Sequence, residues 1–355
     1  MTAPIFSKTL RSPADLVSSR LAAPDRAGAL EMVAERYAIS ITPEMAALID
    51  PADPNDPIGL QFLPDLRELD ALPQERLDPI GDQTHAPVEG VVHRYPDRAL
   101  LKLLHVCPVY CRFCFRRETV GPGGASSLSP EAFSGALDYV RAHPEIWEII
   151  LTGGDPLAMS PRRLKEVMLA LSGIAHVKIV RLHTRVPAVD PSRINAEMTD
   201  ALKAFGRSVY VALHANHARE LTPAARAACA RIVDAGMPMV SQSVLLAGVN
   251  DDPDTLADLM RAFVECRIKP YYLHHPDLAP GTSHLRVDIA RGREIVAALR
   301  GRISGLCQPD YVLDIPGGYG KVPLSESAAQ ALSDQSWRVT DYNGGVHNYA
   351  DPRKA

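Results

Sequence analysis

The chain has 355 residues, 46% of them hydrophobic and 23% charged, with a formal net charge of −4. That length allows one large core or two smaller ones, and a single α/β barrel takes about 250 residues. The basic residues are dispersed, which leaves no electrostatic footprint for nucleic acid. No apolar run reaches the roughly 18 residues of a membrane span, and Met1 to Lys8 lack the apolar region of a signal peptide, so a cytoplasmic protein is expected.

In chain order, residues 1–85 read as an N-terminal helical extension. Helical stretches at Asp25 to Tyr37 and Pro43 to Leu48 are followed by a passage rich in Pro and Asp from Pro51 to Pro57. Nothing in this segment points to chemistry. From Ala86 onward, short β-branched runs alternate with amphipathic stretches at intervals of roughly 30 residues, the pattern of successive βα units and a parallel sheet. The spacing predicts strands at Ala99 to Val106, Glu148 to Thr152, Val177 to His183, Ser208 to His214, Pro238 to Leu246, Lys269 to His274 and Tyr311 to Ile315. Helices are predicted at Pro130 to Ala142, Pro161 to Leu171, Asn195 to Phe205, Thr222 to Ala235, Pro253 to Cys266 and Asp288 to Ser304. Six βα units and a closing strand are too few for a full eight-unit barrel, so the fold class is α/β, an incomplete (β/α)6-type TIM-like barrel over residues 86–325. Residues 326–355 are left as a short C-terminal tail.

Polar and glycine residues follow each predicted strand, where parallel α/β folds build their sites. After the first come Cys107, Cys111 and Cys114, three of the six cysteines. Structural zinc and ordinary electron-transfer clusters take four protein ligands, whereas a three-thiolate set suits a [4Fe–4S] cluster with one iron left open. A zinc knuckle completed by His105, Cys229, Cys266 or Cys307 is the alternative. The isolated Cys229, Cys266 and Cys307 read as small core residues.

After the second strand, Gly153 and Gly154 allow close backbone approach and Asp155 sets a carboxylate beside it, as either a ligand site or a turn with a helix cap. At the last strand, Gly317-Gly318-Tyr319-Gly320-Lys321 fails as a phosphate loop, because Val322 follows the lysine and Ile315 stands at the first glycine position. A lysine with room around it can instead form a Schiff base with an aldehyde cofactor such as pyridoxal 5'-phosphate. Arg94, Tyr95 and Arg98, just before the cysteine strand, offer a phosphate clamp, or else a surface turn.

The cysteine loop followed by Gly-Gly-Asp resembles the radical S-adenosylmethionine (SAM) enzymes. More narrowly, five phrases resemble the lysine 2,3-aminomutase family, over about residues 40 to 325. They are His-Arg-Tyr-Pro-Asp-Arg at 93–98, Cys-x3-Cys-Arg-x-Cys-x-Arg-Arg at 107–117, Leu-Thr-Gly-Gly-Asp at 151–155, Gln-Ser-Val-Leu-Leu with the later Asn250-Asp251, and Asp-x-Pro-Gly-Gly-x-Gly-Lys at 314–321. The resemblance implies an isomerase that converts L-α-lysine to β-lysine, a deoxyadenosyl radical driving nitrogen from C2 to C3. It implies Cys107, Cys111 and Cys114 on the cluster, and Gly153, Gly154, Asp155, His214 and Gln242 around SAM. Lys321 is implied as the pyridoxal phosphate lysine, with Arg94, Tyr95 and Arg98 near the phosphate.

Arg116 stands where the family holds the substrate carboxylate, and Asp277 and Asp314 where it contacts the far end of the amino acid. Two carboxylates there suit an ε-ammonium and disfavour glutamate. A one-electron reductant such as flavodoxin or ferredoxin and a homo-oligomeric assembly are also implied. The chain departs from longer members in having Asp252 where they carry a zinc-binding cysteine, so no structural zinc is expected. Its short length resembles the branch that makes β-lysine for elongation factor P, while residues 314–321 read closer to the free-lysine mutases. A mutase for another amino acid and a non-catalytic iron–sulfur or zinc module stay open.

Overall fold

The computed structural model describes residues 6–121, 126–325, 327–333 and 336–351. Residues 1–5, part of the segment read for a leader, lie outside the described residues. The central element is a nine-stranded sheet in which every strand pairs with its neighbour in sequence. Its strands are β1 (Val91–Tyr95), β2 (Arg98–Leu104), β3 (Glu148–Gly153), β4 (Ile179–Thr184), β5 (Ser208–His214), β6 (Met239–Val244), β7 (Ile268–His274), β8 (Asp310–Ile315) and β9 (Gly320–Pro323). Strands β2 to β8 are parallel, and antiparallel β1 and β9 close the two ends.

The helices between them begin on a shared local signal. Ser129, Ser160, Thr222 and Asp252 each precede a proline at the first helical position, and each side chain accepts a hydrogen bond from the backbone N–H three residues on. The proline lacks only an N–H that would be orphaned there, and the side chain satisfies another. The helix Pro253–Glu265 then buries Leu256, Leu259, Met260 and Phe263, one apolar stripe against the sheet. The seven parallel strands thus share a direction, and their carboxyl ends gather on one rim.

All seven predicted strands are present, with ends shifted by at most two residues. The last helix is shorter than its apolar pattern suggests, Ile289–Ala297, and Gly301 takes a left-handed φ of 71° in the turn after it. The flanking strands β1 and β9 are additions. Each is the outer arm of a hairpin, turning at Pro96-Asp97 in one and at Pro316 to Tyr319 in the other, where no strand was predicted. Residues 329–350 hold a separate antiparallel sheet, β10 (Ala329–Ser333), β11 (Ser336–Thr340) and β12 (Val346–Ala350), turned by Asn343-Gly344-Gly345. Among the described residues no helix is long and apolar enough to cross a membrane.

The N-terminal segment packs against the loop that carries the three cysteines. Glu68, fully buried, receives the guanidiniums of Arg112 and Arg117, which flank Cys114 in sequence. Gln61 accepts from Arg112 N–H through its backbone carbonyl and, through its side chain, from Arg185. A buried charge stripped of its partner costs about 3–5 kcal/mol, so these contacts fix where the loop sits.

Candidate active site

The sheet encloses a cavity of about 250 Å³. Eleven of the fifteen residues singled out from sequence line it: Arg94, Tyr95, Arg98, Cys111, Cys114, Arg116, His214, Gln242, Asp277, Asp314 and Lys321. They come from both edges of the sheet and from the ends of the strands between. Cys107, Gly153, Gly154 and Asp155 do not line it. Cys107 borders a neighbouring cleft with Tyr110 and Arg193, while remaining close enough to Cys111 and Cys114 to feel their charge.

The three thiols sit in a low-dielectric setting. Burial pushes the Cys114 thiol up to about 11 and raises Cys107 and Cys111 as well. Arg185 works in the opposite direction at Cys111, its NH1 donating to Sγ at 3.0 Å. Thiolates bound to metal need such a donor, because metal replaces the proton and leaves sulfur with anionic character. Arg185 is itself held by Glu220, fully buried, which also accepts from the backbone N–H groups of Asn216 and His217. This chemistry fits an iron–sulfur cluster. The other cysteines, Cys229, Cys266 and Cys307, are buried in the core as their apolar neighbours predicted.

Gly153 and Gly154 serve a close approach, but of protein to protein. A Cβ on Gly154 would stand 2.1 Å from the carbonyl oxygen of Val106, and one on Gly153 2.5 Å from that of Leu104. The pair therefore seats the backbone that leads into Cys107. Asp155 spends its carboxylate inside the protein: Oδ1 accepts from Thr184 Oγ1 at 2.7 Å and Leu157 N–H at 3.0 Å, and Oδ2 from Arg185 N–H at 2.7 Å. His214 presents a different picture. Its ring stacks on Phe113, and its Nε2 is buried, on the cavity wall, with no partner among the described residues. A neutral ring with one unused nitrogen fits a polar nucleotide ligand. Gln242 lies beside it and meets His183 at 3.4 Å.

Across the cavity, β8 and β9 place Asp314 directly opposite Lys321, and Lys321 Nζ donates to Asp314 Oδ1 at 2.7 Å. Asp314 also receives His274 at 3.4 Å and Arg94 at 3.8 Å. Burial would raise its carboxyl, but His274 and Lys321 outweigh that and hold it below the usual carboxylate range. Lys321 is further set by its backbone N–H, which donates to the Tyr95 hydroxyl at 2.8 Å. Arg98 lies over the Tyr95 ring at 3.8 Å, and Arg94 keeps a buried Nε without a hydrogen-bond partner among the described residues. Two guanidiniums, a phenol and an amine on one wall fit a phosphorylated aldehyde.

Asp277 is a cavity carboxylate with no direct ion pair among the described residues. Burial, reinforced by Asp314, pushes its carboxyl up to about 7. A cationic ligand arriving beside it would displace the proton, so affinity should follow its ionisation. We expect KM for a cationic substrate to fall as pH rises from about 6 to 8, since below the pKa of Asp277 binding must also expel a proton. Asp277→Asn should flatten that part of the KM profile, and a slope that survives the substitution would assign the titration elsewhere.

Sequence reasoning missed several cavity neighbours. Arg185 follows the third predicted strand, but its bond to Cys111 depends on tertiary packing. Asp82 was hidden in a segment with no chemical pattern. It pairs with Arg116 at 2.9 Å and Arg94 at 3.3 Å.

Fold and site together define an α/β radical enzyme, and the comparisons with known proteins agree. The profile of the radical SAM superfamily matches residues 101–260, and that of lysine-2,3-aminomutase matches residues 296–355. An L-lysine 2,3-aminomutase from Clostridium subterminale is 39% identical over 314 residues, covering 88% of this chain and 75% of that one. A glutamate 2,3-aminomutase from Clostridioides difficile is 36% identical over 83% of this chain and 69% of its own. An L-lysine 2,3-aminomutase from Escherichia coli is 34% identical, covering 81% and 83%. The chain belongs to the lysine 2,3-aminomutase family.

Proposed function

We propose that the protein is an isomerase that interconverts L-α-lysine and β-lysine by moving the amino group between C2 and C3. It depends on a [4Fe–4S] cluster, SAM and pyridoxal 5'-phosphate. The observation that carries the choice of lysine is the pair of cavity carboxylates Asp277 and Asp314, the first without a direct ion pair among the described residues. Glutamate, the substrate named for one relative, would meet two like charges there, and a desolvated mismatch of that kind is what an enzyme uses to reject a substrate.

Cys107, Cys111 and Cys114 would hold the cluster, His214 and Gln242 the nucleotide, and Arg94, Tyr95, Arg98 and Lys321 the aldehyde cofactor. When bound, SAM on the reduced cluster supplies a carbon radical that takes and returns hydrogen, while pyridoxal phosphate supplies the carbonyl that carries the migrating nitrogen. The remaining work falls to this chain's own side chains. Arg116 binds the α-carboxylate and Asp277 and Asp314 bind the ε-ammonium, so the site measures both length and charge. Lys321 Nζ and the substrate ammonium compete for Asp314 Oδ1, so withdrawal of Lys321 makes that carboxylate available. Apolar side chains on the cavity wall, among them Leu100, Ile150 and Val244, would limit water near the reacting atoms.

The electron comes from a one-electron carrier such as flavodoxin or ferredoxin, and the setting is cytoplasmic with a homo-oligomeric enzyme. The test is anaerobic incubation of the reconstituted protein with dithionite, SAM, pyridoxal phosphate and lysine. We expect β-lysine to accumulate in the presence of every component and to be absent when any one is omitted. Turnover of glutamate in preference to lysine would defeat the substrate assignment.

A further inference from the structure

The two arginines assigned to different ligands share one anion. Arg94 stands on the cofactor side and Arg116 on the substrate side, and Asp82 lies between them. Asp82 Oδ2 accepts from Nε of Arg116 at 2.9 Å and forms an ion pair with its NH2 at 2.9 Å. Its Oδ1 accepts from NH2 of Arg94 at 3.3 Å, and the same NH2 donates to the carbonyl of Ile80 at 2.6 Å. The Asp82 side chain is 8% exposed and the two arginines 13% and 9%, so water does little to screen the pairs.

The segment around Asp82 is itself fixed. The Asp78 carboxylate accepts from the backbone N–H groups of Asp82 and Gln83, each at 2.8 Å. Gly81, at a φ of 70°, lies so close to the Lys321 hairpin that a Cβ would stand 2.6 Å from the backbone of Gly317 and Gly318. His85 Nε2 meets the Gly318 carbonyl at 3.0 Å. A short stretch of the N-terminal extension therefore touches the cofactor arginine, the substrate arginine and the lysine hairpin at once.

We propose that Asp82 is a positioning residue that orients Arg94 toward the cofactor phosphate and Arg116 toward the substrate carboxylate. The inference rests on the reading of the site as a lysine aminomutase. Asp82 occupies the Nε edge of Arg116 and leaves the opposite end of the guanidinium, with NH1 at 3.3 Å from Thr152 Oγ1, for a second carboxylate. On Arg94 it takes NH2, leaving the buried Nε, which has no partner among the described residues, for another acceptor. A guanidinium with one edge anchored presents its remaining donors in a set direction, which reduces the ordering cost of binding. Because Arg116 holds substrate before and during the reaction, its misorientation should act on KM more than on kcat.

The experiment uses the holoenzyme without reductant, so that nothing turns over, and measures calorimetrically the binding of lysine and of lysinamide, which lacks the carboxylate charge. In the parent enzyme lysine should bind more tightly. In Asp82→Asn that preference should shrink at least about tenfold, lysinamide affinity should change less than about threefold, and the dissociation constant for pyridoxal phosphate should rise at least about fivefold, as expected when directed, charge-assisted bonds are lost. Asp82→Ser, smaller and equally neutral, repeats the test if the amide is not tolerated. A folded variant of either kind that keeps the lysine preference and the cofactor affinity, and loses only melting temperature, overturns the proposal. If the parent itself shows no preference for lysine, the substrate reading fails instead, and the cofactor affinity of the variants still decides whether Asp82 orients Arg94.

Discussion

Replacing any one of Cys107, Cys111 or Cys114 by Ala is expected to abolish the iron–sulfur cluster and all turnover, while Ser at Cys229, Cys266 or Cys307 leaves cluster content intact. The three loop thiols lie within range of one another's charge, and Arg185 reaches the middle one at 3.0 Å. The other three are core side chains, at 0%, 7% and 4% exposure. A cluster bound through three protein ligands has none to spare, and the radical chemistry has no second route to an electron. Iron analysis with the near-ultraviolet and visible absorbance of anaerobically reconstituted variants measures this directly. Should one of the core cysteines be needed for iron, the assignment of ligands to the 107–114 loop would be wrong.

The second large effect concerns substrate choice. Converting Asp277 to Lys and Asp314 to Asn together should lower lysine kcat/KM by at least about a hundredfold, because an ammonium left beside a cation loses roughly 3 to 5 kcal/mol of buried pairing. The two carboxylates are not equivalent. Asp314 already shares its charge among Lys321, His274 and Arg94, whereas Asp277 has no direct ion pair among the described residues. Asp277→Lys alone should therefore carry the larger part of the loss, and the double variant should improve any trace activity on glutamate, whose side-chain carboxylate gains a partner. Unchanged lysine kinetics in the double variant would return both aspartates to a structural role.

The parallel core of the fold was legible in sequence because each strand and helix carries its own signal. Helices open on Ser-Pro, Thr-Pro or Asp-Pro, and strands such as Ser208–His214 are β-branched runs of the right length. The antiparallel arms β1 and β9 were not, since each is short and adjoins a proline- or glycine-bearing turn. The candidate site followed the same division. Eleven of the residues singled out, among them Cys111, His214, Asp314 and Lys321, line one cavity, and Gly153 to Asp155 do not.

What escaped depends on partners far apart in the chain. Asp82 meets Arg116 34 residues away, and Arg185 meets Cys111 at a separation of 74. No periodicity encodes such a pair. For Gly153 and Gly154, close backbone approach was the expected property, but the backbone that approaches is that of Leu104 to Val106.

A sheet that curves without closing leaves two rows of unpaired backbone groups, and such edges recruit strands from other chains. Here the margins are β1, five residues long, and β9, four. The Tyr95 hydroxyl takes the N–H of Lys321, and Gly81 and His85 lie against the glycines of the same hairpin. The groups that prepare the cavity for its ligands therefore also shield the seam. Loosening them would cost more than catalysis, because it would uncover strand edges that can pair with other chains.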